Sequence, residues 1–258
     1  MNITYIIIGI IILLSLIFIH KYFINRAIPD VKDNKIPKVI YQTYKDKNVP
    51  PIIKERWLKL NPEYEYHLYD DNDCYNFLIK YYTKEHADFF KYKIKDGPIK
   101  SDFWRVCILY QFSGIYADID IVPNVSIDQF VDSDTTLYTC ITDPKLDKNN
   151  LNPHFIATTP KNPLILDCIN IYIREKMNTE YSYLGWSITT ILYNIITNYL
   201  NNYNLKEDKY KNEDQTIQFP QEVCPDDSIK TCFIKQNDKN IMNNRDSNLY
   251  NEFTHEFI

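Results

Sequence analysis

Segments with the pattern of strands alternate with segments with the pattern of helices from Lys38 to Leu200, and few folds accept that order. The strand patterns are KVIYQTY, EYEYHLYD, SGIYADIDIVPN and TTLYTCI. The helix patterns are PPIIKERWLKLN, DNDCYNFLIKYY, Pro98 to Phe112, NPLILDCINIYIREKM and SITTILYNIITNYL. Such alternation is typical of α/β domains. We therefore predict an α/β fold with a mostly parallel central sheet, followed from Lys206 by a polar tail without a clear pattern.

The N-terminus carries a run of 17 residues without a formal charge, from Ile3 to Ile19. At about 1.5 Å per residue, this run is near the lower limit for crossing a bilayer, and the residues up to Ile24 can extend it. Neither a basic start nor a small-residue cleavage site accompanies it, which argues against a cleaved signal peptide. We predict a single-pass membrane anchor over residues 1–24, a linker over 25–36 and one domain over 37–258.

Charge and cysteine content narrow the compartment and the partners. The net charge of -5 predicts no nucleic-acid partner, because no basic face is evident. Four basic residues between Lys21 and Lys35 follow the apolar run, and by the positive-inside rule they favour a cytoplasmic domain. Among the six cysteines, Cys224 and Cys232 flank a loop-like segment and are the best candidates for a disulfide.

The segment SGIYADIDIVPN places two carboxylates inside an apolar strand pattern. Period-two alternation predicts that Tyr116, Asp118 and Asp120 share one face of that strand. An isolated D-x-D sequence usually lies on a solvated surface. Here the strand is apolar enough to be central, and the aspartates lie toward its carboxyl end, where open α/β sheets bind ligands. Paired carboxylates at such a rim predict a site for Mg²⁺ or Mn²⁺.

A second charged pair lies on the predicted helix that precedes this strand. Asp102 and Arg105 are three residues apart in KSDFWRV and therefore share a helical face. Arginine suits a diphosphate, and aspartate suits a sugar or ribose hydroxyl, although an ordinary surface ion pair is the alternative. The acidic run YDDND is interpreted differently, as a helix N-terminus where carboxylates interact with the macrodipole.

The combination of IPKVIYQTY, Trp57 with NPEYEYHLYDD, and SDFWRVCILYQFSGIYADIDI resembles glycosyltransferase family 32 over roughly residues 36–130. The resemblance implies a GT-A-like fold that binds a nucleotide-sugar donor, a GDP- or UDP-hexose with mannose favoured. It also implies a divalent cation (Mn²⁺ or Mg²⁺), retention of anomeric configuration, a glycan or glycolipid acceptor, and an internal membrane of the Golgi or ER type.

Carried over residue by residue, the resemblance makes Asp120 the metal ligand. Asp118 corresponds to the residue that reaches ribose and sugar hydroxyls, and the metal through water. Asp102 and Arg105 correspond to the donor-binding pair on the helix. The expected catalytic residues are therefore Arg105, Asp118 and Asp120, which would stabilise the departing diphosphate.

The remaining family positions are less well matched. Gln42 and its neighbour Tyr41 correspond to residues near the nucleotide base, with a tyrosine where the family has histidine. Ser113 replaces the first glycine of the turn, and Gly185 in YLGWSITT is the nearest counterpart of a downstream Thr-Gly-Pro element. His255 is a candidate late ligand, although a lone histidine near a terminus is more often a bystander.

Three functions are compatible with these residues. The first is a membrane-anchored, metal-dependent, retaining hexosyltransferase. The second is a non-catalytic, membrane-tethered carbohydrate-binding protein derived from such an enzyme. A metal-dependent phosphotransferase or nuclease ranks last, because such enzymes normally need further acidic ligands from other strands and no convincing set is present.

Overall fold

The computed structural model describes residues 35–147, 150–225, 232–244, 248–251 and 254–257. Lys35–Ile258 form one compact unit by their internal contacts. The predicted membrane anchor, and the predicted linker up to residue 34, lie outside the described residues. Within the described ranges, every helix is too short or too polar to cross a bilayer.

The main helices lie where the sequence patterns predict them. Short turns of 3₁₀ or π-helix join several of them, including the π-helical turn Phe89–Lys93. The α-helices are α1 Pro51–Leu60, α2 Asp71–Tyr81, α3 Lys84–Asp88, α4 Gly97–Phe112, α5 Pro163–Arg174, α6 Tyr183–Trp186 and α7 Ile188–Leu200.

The strands are β1 Val39–Thr43, β2 Glu65–Tyr69, β3 Gly114–Ala117, β4 Val122–Pro123, β5 Leu137–Ile141, β6 Leu151–Thr158, β7 Asp208–Lys211, β8 Thr216–Phe219, β9 Gln221–Val223, β10 Phe233–Gln236, β11 Lys239–Asn243, β12 Tyr250–Asn251 and β13 Glu256–Phe257. In the described residues, 11 of them form one sheet in the order β2-β1-β3-β6-β5-β9-β10-β11-β4. β8 pairs with β5 and with β7, and β12 pairs with β13 in a separate hairpin.

The α/β class is confirmed, but the sheet is mixed. β1 lies between β2 and β3 and runs parallel to both, with Ile40 of β1 opposite Ile115 of β3. β6 then runs antiparallel to both β3 and β5, and the β9-β10-β11-β4 side is antiparallel throughout. The alternation of strands and helices is therefore a reliable guide only to the parallel part.

The strands that the sequence patterns miss lie in the centre and on one side of the sheet. β6 is buried between β3 and β5, yet its sequence contains Pro153, a residue that normally argues against a central strand. Several short strands also form in the tail after Lys206. Short polar strands of this kind depend on pairing with distant partners, and local alternation does not identify them.

Hydrophobic residues fill both faces of the sheet. Tyr116 faces one cluster with Phe103 and Trp104 of α4, whereas Ile115 and Ala117 face the other. On that second face, the ring of Trp57 from α1 stacks on Phe155 of β6 at 6.0 Å. The period-two alternation predicted for the strand thus holds through Ala117, and the strand is central, as expected.

One local prediction about chain geometry is confirmed, and a second local feature explains a glycine. Asp70 caps α2 in a capping box with Asp73, so the run YDDND is a helix N-terminus. At the end of α4, Ser113 and Gly114 both have positive φ, at 58° and 98°. A Cβ on Gly114 would lie 2.9 Å from the carbonyl oxygen of Val39, so glycine is required where α4 turns into β3.

Candidate active site

A cavity of about 810 Å³ opens at the carboxyl ends of the parallel strands. Its walls include Thr43 at the end of β1, Asp71 after β2, and Asp118 with Asp120 after β3. Parallel strands bring these ends to one edge of the sheet, which is where open α/β sheets bind ligands. The predicted location of the site at this rim agrees with the cavity.

The two aspartates lie on a turn, so the strand prediction for residues 118–121 is wrong. β3 ends at Ala117, and the Ile121 amide donates to the carbonyl oxygen of Asp118 at 3.3 Å. The Asp118 amide donates to the carbonyl oxygen of His154 at 2.7 Å. A turn closed in this way directs both Asp118 and Asp120 to the cavity while Ile121 is buried.

Arg105 is the centre of the site's hydrogen bonding. Its side chain is 4% exposed, and its Nη2 lies 2.9 Å from an oxygen of Asp102 and 2.9 Å from Oδ1 of Asp118. Its Nη1 donates to the carbonyl oxygen of Pro153 at 2.6 Å. The guanidinium stacks over the ring of Tyr116 at 4.5 Å, and the Tyr116 hydroxyl donates to Asp118 at 3.0 Å. A buried cation with this many partners fixes Asp118 in position.

Asp102 is a buried link between two helices. One carboxylate oxygen contacts Arg105, and the other accepts from the Ile188 amide at 3.0 Å at the start of α7. Burial raises the pKa of Asp102 to about 6, although the Arg105 guanidinium and the Ile188 amide favour the ionised form. Desolvation outweighs the ion pair here because the carboxylate is fully enclosed and Asp118 competes for the same cation.

The electrostatics of Arg105 run in the opposite direction. Burial alone would lower its pKa, but Asp118, Tyr116 and Asp102 together raise the pKa above the ordinary value. The guanidinium therefore stays charged, and one cation is shared between two carboxylates. The burial of Asp102 and Arg105 excludes the alternative of an ordinary surface ion pair.

β6 contributes two backbone acceptors that the sequence analysis missed. Thr139 and Cys140 are adjacent on β5, but they pair with Ile156 and Asn152 of β6. The three residues of β6 between those two partners therefore bulge out of the ladder with β5. Two of these, Pro153 and His154, present their carbonyl oxygens to Arg105 and to the Asp118 amide. Bulges commonly redirect chain groups next to functional sites, and Pro153 within LNPHFIAT is the one sequence signal for it.

Gln42 and Tyr41 do not lie where the sequence analysis expected them. Both side chains are buried, and neither lines the cavity. The Gln42 amide donates to the carbonyl oxygen of Asp118 at 2.8 Å and accepts from the Tyr66 hydroxyl at 2.7 Å. It therefore holds the backbone of the turn at Asp118. Tyr41 stacks with His67 at 5.9 Å. In their place, Thr43 and Tyr44 at the end of the same strand line the cavity.

Two segments distant in sequence complete the walls. Tyr183 begins α6 and Ser187 follows it, and both line the cavity. The helix includes Gly185 and is anchored by Trp186, whose ring stacks on Phe89 at 5.4 Å. The β12-β13 hairpin brings His255 into the cavity wall. There the Tyr44 hydroxyl donates to the His255 carbonyl oxygen at 3.1 Å, and Lys45 pairs with Glu256 at 2.6 Å.

The donor groups at the turn fit a hard divalent cation. Asp118 and Asp120 offer carboxylate oxygens to the same cavity, and oxygen ligands suit Mg²⁺ and Mn²⁺. Within the described ranges, no third histidine, cysteine or acidic side chain completes a three-ligand group with them. Two protein ligands fit a cation that takes its remaining ligands from water and a diphosphate. The one three-ligand group among those residues, Glu222 with Cys224 and Cys232, has its sulfurs joined in the confirmed disulfide.

The fold is that of a glycosyltransferase. The solved structure of the PaToxG glycosyltransferase superposes with a TM-score of 0.50 and 16% sequence identity, over 72% of this chain and 77% of that one. Residues 52–137 match the family model described as the glycosyltransferase sugar-binding region containing the DXD motif. That region runs from α1 to the start of β5 and includes β3, the Asp118–Asp120 turn and β4.

Several mannosyltransferases are related in sequence. An inositol phosphoceramide mannosyltransferase 3 of Schizosaccharomyces pombe is 32% identical over 40% of this chain and 30% of its own length. A mannosyl phosphorylinositol ceramide synthase of Saccharomyces cerevisiae is 38% identical over 34% of this chain and 24% of its length. An initiation-specific alpha-1,6-mannosyltransferase of Candida albicans is 31% identical over 42% and 30%. The matches thus span less than a third of each relative.

The resemblance to glycosyltransferase family 32 is supported over residues 52–137, which are similar to this group of DXD-containing glycosyltransferases. The matched region contains Asp102, Arg105, Asp118 and Asp120 together, whereas Asn152 and His255 lie beyond it.

Proposed function

We propose that this chain is a metal-dependent, retaining glycosyltransferase with a GT-A-like domain that transfers a hexose from a nucleotide-sugar donor. The observation that carries the proposal is the buried Asp102–Arg105–Asp118 network at a cavity that also receives Asp120. A network of this kind holds charged groups in fixed positions before substrate arrives, which is what stabilisation of a developing charge requires.

The proposed chemistry concerns the leaving group. Breaking the anomeric bond leaves negative charge on a nucleoside diphosphate. A divalent cation held by Asp120 and Asp118 would supply Lewis-acid stabilisation of that charge. Arg105 keeps Asp118 oriented and adds positive potential at the same edge of the cavity. His255 of the β12-β13 hairpin also lines the cavity and is proposed as a contact to the diphosphate. No side chain is assigned as a nucleophile.

The donor and acceptor are proposed from the relatives. Mannose is favoured because the related proteins are named as mannosyltransferases, and a GDP-linked donor is the first to test. Two of them are named for a phosphoceramide or phosphorylinositol ceramide, which favours a glycolipid acceptor. The apolar run Ile3 to Ile19 would hold the domain at the membrane where such an acceptor lies.

The proposal is tested by replacing Asp120 with asparagine in the full-length chain. We expect release of GDP from GDP-mannose, measured with Mn²⁺ and a glycolipid acceptor, to fall at least about 100-fold because a ligand to the cation is lost. The thermal unfolding temperature should change little, since Asp120 is partly exposed.

Asp167→Asn is the matched control. This aspartate is exposed on α5, away from the cavity lining, and its replacement removes the same charge. Equal activity of wild type and Asp120→Asn would overturn the proposal. Binding of mannosides by the wild type without turnover, and without dependence on Mn²⁺, would favour the non-catalytic carbohydrate-binding alternative.

A further inference from the structure

Asn152 is a polar cavity residue that belongs to neither the DXD turn nor the Arg105 network. It lies at the start of the β6 bulge and lines the cavity. The next residue, Pro153, accepts a hydrogen bond from Arg105, so Asn152 is close in space to the proposed catalytic groups. The orientation of this amide decides whether it offers a donor or an acceptor to a bound ligand.

Glu222 defines that orientation. Its side chain is 2% exposed, and its Oε1 accepts from Asn152 Nδ2 at 2.8 Å and from Asn244 Nδ2 at 2.5 Å. Its Oε2 accepts from the Asp143 amide at 3.1 Å. A carboxylate can only accept, so the nitrogen end of Asn152 must face Glu222. The oxygen end, Oδ1, is then the end that is not held by Glu222 and is presented as an acceptor.

The position of Glu222 is itself fixed by the tail of the chain. Glu222 lies on β9, two residues before Cys224, whose sulfur is joined to Cys232. The Cys224 amide donates to Asp143 at 2.7 Å, and the Asp143 amide donates to Glu222. These hydrogen bonds and the disulfide together hold the Glu222 carboxylate against the Asn152 amide more precisely than packing alone would.

We infer that Asn152 binds a hydroxyl group of the transferred hexose through Oδ1, and that Glu222 is the positioning residue that presents it. The hydroxyl donates to Oδ1, and a site built to accept from a hydroxyl discriminates against sugars that lack it. The inference rests on the proposed function, since it presumes a nucleotide-sugar donor in this cavity. It adds a hexose contact outside the region that matches the family model.

The test compares the affinity for a nucleotide with that for the corresponding nucleotide sugar. Titration calorimetry on the detergent-solubilised full chain with Mn²⁺ would use GDP with GDP-mannose, and UDP with UDP-glucose. The variants are then measured with the pair that the wild type binds more tightly. We expect Asn152→Ala to weaken nucleotide-sugar binding about fivefold to tenfold while nucleotide binding changes less than about twofold, because one hydrogen bond to the sugar is lost. Asn152→Ser is the second variant if Asn152→Ala unfolds.

Glu222→Gln tests the positioning role. A glutamine offers a donor as well as an acceptor, so either end of Asn152 can face it, and we expect an intermediate loss confined to the nucleotide sugar. Asn244→Ala is the control, because it removes a different donor to the same Glu222 oxygen and leaves Asn152 in place. It should leave the ratio of the two affinities unchanged.

The outcomes separate the inference from the proposed function. If the wild type binds a nucleotide sugar and Asn152→Ala weakens neither ligand, or weakens both equally, the inferred hexose contact is wrong and the proposed function stands. If the wild type binds none of the four ligands, the proposed function is overturned and the inference with it.

Discussion

The cavity has two walls that are held in place by different physical means. The ionic wall, Asp102 with Arg105 and Asp118, consists of charged residues that are close in sequence and share one buried cation. The tail wall, Asn152 with Glu222, is a neutral amide on a buried carboxylate 70 residues away. The first is stabilised by attraction between opposite charges, the second by hydrogen bonds and a disulfide that brings distant segments together. Loss of the Arg105 guanidinium should therefore disrupt the ionic wall, whereas loss of the disulfide should disrupt the tail wall.

Removal of the Arg105 guanidinium, the cation of the ionic wall, should have the largest effect. Arg105→Met replaces the guanidinium-bearing side chain with an unbranched apolar one and leaves Asp102 and Asp118 without their shared partner. Breaking a buried ion pair by removing one partner costs about 3–5 kcal/mol, so we expect the free energy of unfolding to fall by that amount. Denaturant unfolding followed by circular dichroism measures it.

Lys38→Met is the matched control for that measurement. Lys38 is also shared between two carboxylates, Glu63 at 3.1 Å and Asp128 at 2.6 Å, but its side chain is 47% exposed. Exposed pairs contribute at most about 1 kcal/mol. Similar losses for Arg105→Met and Lys38→Met would mean that burial does not distinguish the ionic wall from an ordinary surface pair.

Reduction of the Cys224–Cys232 disulfide should have the next largest effect and should act on the tail wall. The two cysteines are separated by 8 positions, and a closed loop of that length stabilises a fold by about 2.5 kcal/mol. We expect a phosphine reductant to lower the free energy of unfolding by that amount, and the affinity for the nucleotide sugar to fall more than that for the nucleotide.

A variant with both Cys224→Ser and Cys232→Ser is the control for reduction. It should unfold at the same denaturant concentration with and without reductant, since the four remaining cysteines are free and buried. A drop in stability on reduction of this variant would assign the effect to another cause. An unchanged ratio of affinities would show that the disulfide does not hold Glu222 in place.

The two walls also differ in how far the sequence predicts them. Asp102, Arg105, Asp118 and Asp120 lie on one helix, one strand and one turn in succession, so local periodicity brings them to the same edge. Even there, the aspartates were expected on a strand and lie on a turn, which begins at Asp118, where the amide still donates to the His154 carbonyl oxygen of β6. That bond depends on a strand from elsewhere in the chain, which local pattern does not describe.

The tail wall could not be predicted from local pattern. Asn152 reaches the cavity only because β6 pairs between β3 and β5 and bulges there. In the sequence alone, Glu222 is one of many acidic residues in a polar tail. Its burial results from the pairing of β9 with β10. Gln42 is a different case, since the family resemblance placed it near the nucleotide base whereas its amide donates to the Asp118 carbonyl oxygen. Non-local strand pairing is what the sequence leaves open in each case.

The smallest expected effect tests whether burial or the ion pair dominates at Asp102. The pKa of Asp102 is raised from 3.8 to about 6, so the folded chain binds a proton more tightly than the unfolded chain does. By linkage, the stability from this group is fully present below the unfolded pKa and is lost as pH rises through 6. Between pH 7 and pH 5, the wild type should gain about 1 kcal/mol in free energy of unfolding relative to Asp102→Asn, which lacks the titrating group.

The sign of that difference decides between the two effects. If the attraction of Arg105 dominated, the pKa of Asp102 would lie below 3.8 and the wild type would show no gain at pH 5 relative to Asp102→Asn. Because the other titrating groups are common to both proteins, the difference between their unfolding curves reports the titration of Asp102 together with its coupling to Asp118. A gain on acidification would show that burial outweighs the attraction of Arg105 at Asp102, so that this carboxylate is held in its charged form at pH 7 against the cost of burial.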